Sequence, residues 1–368
     1  MRSMKPFRAF LLTFGLAQAA TMCLSAQKPE LVSGKVTCDD CVVILDTVVT
    51  IGGLDGPGLH AVTRHSQVAV DRRGRILITA LRQSEMSVFD STGKFLRTVG
   101  RRGEGPGEYG SISHIGVGRQ YIHVFVNHSG RTLLDHDFAV VRTDRFPGQI
   151  LSAIVLSGDE AAFTANLPTP ASIGHKLHVL RPTGQILSYG YDGEVYSSSL
   201  TTWTSQRSAV AGRADTLWAV NNEANRIVRW VLGQEPQVVR VFERQVAEFE
   251  EGAPAEHVYP RSWNYAAMAD DRGLWIVWNA PDPKWKKRVG PGGRAEGTPR
   301  QVYDGWMDLV DPATGRTLAR HRQDGFLMDF AAGSSYVVAY HETDAGVPFL
   351  HLLEPRLSRG SPDRIRRP

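Results

Sequence analysis

The sequence predicts an all-β fold: a six-bladed β-propeller of four-stranded antiparallel blades, its ring closed by an N-terminal strand. Three observations carry this. Short runs of β-formers alternate with Asp- and Gly-bearing turns along most of the chain. One repeat can be laid on another, since Ala269-Asp270-Asp271-Arg272-Gly273-Leu274 aligns with Val70-Asp71-Arg72-Arg73-Gly74-Arg75. A strong strand stands alone before the first full repeat, and the last repeat is one strand short.

The most regular repeat is Gln67–Gly110. Its runs Val68–Val70, Arg75–Ala80, Met86–Phe89 and Phe95–Val99 are four strands in about 40 residues, a sheet too small to bury both its faces, so copies must stack. The pattern VAVDxxGRIxIxA…VFDxxGKFLRTVGRRGEGPGEY resembles NHL-type repeats, and more closely exported bacterial six-bladed propellers whose first complete blade ends in a GxGPGE turn. That resemblance implies the fold and little about chemistry, because such propellers serve as scaffolds, receptors and enzymes.

Taken in order, residues 1–26 read as a signal peptide: Lys5 and Arg8 precede the apolar segment Ala9–Ala20, with small residues at Ser25 and Ala26 before the expected cleavage. Ala20-Thr21-Met22 is a poor match to a lipobox, which disfavours lipoprotein anchoring at Cys23. The expected location is therefore periplasmic or extracellular. Residues 27–40 are polar and expected to be flexible, and Cys41–Ile51 (CVVILDTVVTI) is the lone strand that would complete the last blade. Closing the ring removes edges that would otherwise pair with other chains. Further blades are expected at Ile115–Gln149, Ser152–Glu194, Arg207–Phe249, from Tyr265 onward, and at Met328–Leu353, within a propeller spanning 41–355. An insertion at 281–300 carries six basic residues against Asp282 and Glu296, and 356–368 reads as a disordered basic tail.

Composition excludes several classes. With 42% apolar and 22% charged residues the chain can bury a large core. Loss of Arg2, Lys5 and Arg8 with the signal takes the formal charge from +4 to +1, and basic residues gather on no folded segment, so nucleic acid is not an expected partner. No later segment approaches the roughly 18 apolar residues of a membrane span. A monomer is expected.

Candidate chemistry is sparse. Cys38 and Cys41 are the only pair of the mature chain and lack the further ligands that zinc needs, so a local disulfide in an oxidising compartment is expected. The Arg101–Tyr109 link lacks the GK[ST] ending of a phosphate loop, yet Arg101, Arg102 and Glu104 there are candidate ligand contacts. Asp71 and Asp270 occupy equivalent turn positions, which argues for architecture. His114 and His123, with Asn127 beside them, are candidate ligand residues, as is Trp285 among the basic residues of the insertion. No GxSxG elbow or HExxH pair occurs, and no catalytic residue or required cofactor is assigned. Two functions remain open: a non-catalytic exported scaffold binding a protein, peptide or glycan on one face, or a lactonase- or lyase-like enzyme with a divalent ion such as Ca2+ in the central channel.

Overall fold

The protein is described here by a computed structural model covering residues 28–126, 130–145, 149–156, 158–167, 177–189, 208–222, 224–232, 237–249, 262–285 and 297–360. Six four-stranded antiparallel sheets stand in a ring. Blade one runs through Gln67–Val70, Ile76–Thr79, Met86–Phe89 and Phe95–Val99 from the inside outward. The innermost strands of blades two to six are Ile112–Val117, Gln149–Val155, Ser208–Arg213, Trp263–Ala269 and Phe326–Phe330. Each packs on the next, and the sixth returns to the first through the Ala69–Ala332 bridge. The fold is thus a six-bladed β-propeller. Among the described residues, helix is confined to Pro299–Val302 and a 3-10 turn at Leu59–Ala61.

The core is a set of six layers, one between each pair of neighbouring blades. Side chains alternate across a strand, so one strand feeds two layers. Ile76 and Ile78 pack towards blade six with Ile51, Leu350 and Leu352, whereas Leu77 packs towards blade two with Ile115 and Val124. Tryptophans fill several layers: Trp230 lies between blades three and four, Trp218 and Trp278 between four and five, and Trp275 between five and six.

Closure follows the sequence expectation and extends it. Cys41–Gly52 pairs antiparallel with Pro348–Arg359 as the outermost strand of blade six, from Cys41 opposite Arg359 to Gly52 opposite Phe349. This corrects the expected tail, since Arg356–Arg359 belong to a strand while 361–368 lie outside the described residues. The expected flexible segment 27–40 is also partly ordered: Glu30–Ser33 pairs in parallel with the outer strand of blade four, Gln237–Gln245. Backbone pairing takes no account of how polar a segment is, and Val32 and Gly34 supply the close fit. Val32 is buried, and the Gly34 N–H donates to the Gln245 carbonyl at 2.8 Å. The Thr37 and Cys38 N–H groups then donate to the Thr317 and Leu318 carbonyls of blade five, so the segment straps blades four, five and six together.

Connections divide the ring into two faces. Turns inside blades, from first to second and third to fourth strand, are short and built alike on one face. The Asp71 Oδ1 accepts the Arg73 and Arg75 N–H groups at 2.9 Å, the Asp90 Oδ1 those of Thr92 and Lys94, and the Asp270 Oδ1 those of Arg272 and Gly273. Gly74 and Gly93, at φ 74° and 88°, take the left-handed positions these turns require. Among the described residues, the blade-to-blade links and the connections between second and third strands lie on the opposite face. The described ends of the insertion lie there, with Pro281 still in its strand and Pro299–Val302 helical; residues 286–296 lie outside the described residues.

Candidate functional site

The central channel encloses about 160 Å³ and opens on the link-bearing face into a mouth of about 250 Å³. Six residues line both spaces and so mark the neck between them: Gln67, His114, Ser152, Ala209, Tyr265 and Asp329. Each comes from the innermost strand of a different blade. An amide, an imidazole, a hydroxyl, a phenol and a carboxyl therefore converge on one level of the ring.

Local backbone irregularity places four of the six. In blade two the pairing passes from Phe125–His114 to Val126–Ile112, leaving Ser113 extra; Leu151, Tyr265 and Met328 are the extra residues in blades three, five and six. A β-bulge re-aims the side chains beside it. Each of these bulges lies at, or one residue before, a neck residue.

Asp329 is the one carboxylate of the neck. Its Oδ1 accepts the Phe330 N–H at 2.7 Å. The side chain touches channel solvent but is surrounded by protein, and that burial pushes its pKa from 3.8 up to about 7, against the smaller lowering effect of the Phe330 N–H. Below it the walls include small residues, among them Ala153, Ala211, Ala267 and Ala332. At the rim stand Arg64, His65, Leu81 and Trp263. Burial, and then Arg64, lower the His65 pKa.

Of the residues singled out in the sequence, His114 alone reaches the neck. His123 is fully buried between blades two and three, which corrects its expected role as a ligand residue. Its Nδ1 lies 3.3 Å from the Arg131 guanidinium and its Nε2 3.6 Å from Asp159, and Asp159 also accepts the Gln120 and Tyr121 N–H groups. Burial, then Arg131 and Arg142, bring the His123 pKa down to about 3, so the ring is neutral and its Nδ1 accepts from Arg131. It is a structural group.

Arg101 is engaged within its own link. Its Nε donates to Glu108 at 2.8 Å, and the other Glu108 oxygen accepts the Glu104 and Gly105 N–H groups. The Gly105 N–H and then Arg101 hold the Glu108 carboxyl below its usual range. At Gly103 a Cβ would stand 2.0 Å from the same carboxylate, so the glycine is there to admit it. Arg102 and Glu104 are exposed on this link and do not line the neck. Trp285 is half-buried, with its N–H closing a turn onto the Asp282 carbonyl at 2.9 Å, away from the channel lining. Asn127 lies outside the described residues. Cys38 and Cys41 form the expected disulfide. Among the described residues, three potential cation ligands of the His, Cys, Asp and Glu types converge only at Cys38, Asp40 and Cys41, where the disulfide occupies both sulfurs.

Sequence reasoning missed Gln67, Ser152, Tyr265 and Asp329. A signal existed for the last: Phe326–Ala332 (FLMDFAA) places a carboxylate in an otherwise apolar innermost strand.

The class that fold and channel define, a six-bladed β-propeller, agrees with comparison to known proteins. Residues 61–206 match the DUF5128 family, described as a 6-bladed beta-propeller. The structure is similar to that of a candidate exported protein from Bacteroides fragilis, at 15% identity and TM-score 0.57, covering 89% of this chain and 99% of that one. It is also similar to a member of the DUF4221 family from Bacteroides vulgatus, at 8% identity and TM-score 0.54, covering 88% and 100%. A gluconolactonase from Xanthomonas campestris matches at 11% identity and TM-score 0.44, over 83% and 97%, a likeness too loose to bear on chemistry. No curated protein sequence matches the chain.

Proposed function

We propose that the protein is an exported, non-catalytic binding scaffold that takes a protein, peptide or glycan on its link-bearing face, with the neck holding one group that projects from the ligand. The observation that carries this reading is the convergence of one inner-strand residue from every blade beneath an open mouth. Polar groups fixed on strands at the end of a concave space are what a specific ligand site requires. Leu81, 51% exposed at the mouth, offers an apolar contact outside the neck. The Cys38–Cys41 disulfide supports an oxidising compartment.

Peptide and glycan arrays probed with the mature protein and with Ser152→Trp, which fills the neck, test this. Ligands retained by the wild type are expected to be lost by the folded variant. Equal binding by both would overturn the reading. One feature favours the second reading, a hydrolase or lyase: a channel carboxyl that titrates near neutrality is suited to acid–base work. Metal analysis of the purified protein separates the two, because stoichiometric calcium or zinc would turn the assignment to catalysis.

A further inference from the structure

We infer that the neck is a socket for a small primary ammonium group, entering from the link-bearing face with Asp329 as its counter-ion. This rests on the scaffold reading and names the group the neck selects.

Three observations lead to it. Among the described residues, Asp329 is the only carboxylate that lines either the channel or its mouth. An ionised carboxylate offers about four acceptor positions, and among the described residues the recorded donor to Asp329 is the Phe330 N–H alone, with no cationic side chain in ion-pair contact. Burying such a group without a counter-charge is costly, so a ligand that brings one is favoured. The channel beyond it is lined in part by small residues, among them Ala153, Ala211, Ala267 and Ala332, which leave it open. A cavity of about 160 Å³ is close to one of ~150 Å³ that holds benzene, which leaves room for a ligand of a few carbon atoms.

The charge on the ligand follows from the same wall. A calcium ion takes six to eight oxygens, several of them carboxylate. The neck supplies one carboxylate, with only the uncharged oxygens of Gln67, Ser152 and Tyr265 beside it. One positive charge matches that set; two do not.

Proton linkage supplies an independent readout. Burial raises the Asp329 pKa to about 7, so the free neck is partly protonated at neutrality and an arriving cation must displace the proton. The groups facing Asp329 from the other blades are Gln67, His114, Ser152, Ala209 and Tyr265, with Arg64 and His65 at the rim. Histidine protonation would also oppose a cation at low pH, so the pH effect belongs to Asp329 only if it disappears with that residue.

The test is calorimetric titration of the full mature protein with n-butylammonium chloride, with n-butanol and calcium chloride as controls, at pH 8 and pH 5.5. The expected result is binding of butylammonium at pH 8, at least 10-fold weaker at pH 5.5, with proton release near pH 7. Asp329→Asn, which keeps the shape and removes the charge, should lose this binding and its pH dependence. Butanol binding as tightly as butylammonium, calcium binding in its place, or an unchanged affinity in Asp329→Asn would each overturn the assignment. Array ligands lost by Ser152→Trp yet indifferent to Asp329→Asn would overturn the ammonium socket and leave the scaffold reading standing. Ligands indifferent to both variants would overturn both.

Discussion

Two titratable groups, the partly enclosed Asp329 and the buried His123, set opposite pH dependences on the same fold. The native Asp329 keeps its proton up to about pH 7, whereas the unfolded chain releases it near 3.8, so stability falls as pH rises across that window. Asp329→Asn is expected to raise stability at pH 8 by about 1–3 kcal/mol, less than the full shift implies because channel water screens the carboxylate, and to change little at pH 4. His123 works the other way. It is neutral in the fold down to about pH 3 while the unfolded chain takes a proton near 6.5, so its contribution is present above 6.5 and lost as the pH falls. Because the opposite Asp329 dependence remains, His123→Gln should lower the urea midpoint at pH 7 relative to that at pH 5 when compared with the wild type; an unchanged difference between the two would show that His123 is not the source. At this scale the sequence was legible only in part. The turn aspartates Asp71 and Asp270 were readable because an Asp two residues before the amides it accepts is a local pattern. The neck was not, because its members are up to 262 residues apart in sequence, from Gln67 to Asp329, and four depend on bulges that break the two-residue alternation.

Blades are held to one another by apolar layers and, between blades four and five, by a buried ionic staple. Arg244 of blade four and Arg320 of blade five both grip Asp308, with Arg320 Nε at 2.6 Å, and Arg244 also donates to Thr317 at 2.8 Å. Burial raises the Asp308 pKa, but Arg244 and Arg320 more than offset it, so the carboxyl ends below its usual range. Arg320 reaches on to the Gly34 carbonyl and so ties in the N-terminal strap. Asp308→Ala leaves the buried Arg244 without its counter-charge and should cost about 3–5 kcal/mol of unfolding free energy, read from denaturant melts. A loss below about 1 kcal/mol would show that the staple is replaceable. The GEGPGEY link shows the difference between recognising an element and reading its logic. Its glycines mark a structural turn from sequence alone, yet the group they serve is Glu108, which their backbone amides and Arg101 enclose. The parallel pairing of Glu30–Ser33 gave no local signal, since an open strand edge accepts almost any backbone.

At the scale of the whole molecule, the strand deficit of the last repeat and the isolated Cys41–Ile51 run pointed to one closed ring, and the pairing of Cys41–Gly52 with Pro348–Arg359 closes it. Closure is what gives the neck its six sides, because blade six carries Asp329 and meets blade one only when the ring is complete. The segregation of the Asp-turns to one face and of the links to the other follows from the same up-and-down order, and it leaves the link-bearing face free to vary around a fixed channel. The most direct measurement of this account is the thermal unfolding and butylammonium binding of a variant lacking residues 41–52. The ring account predicts loss of a cooperative transition, or one lowered by well over 10 °C, together with loss of binding. A variant that melts cooperatively at the wild-type temperature and still binds butylammonium would contradict it.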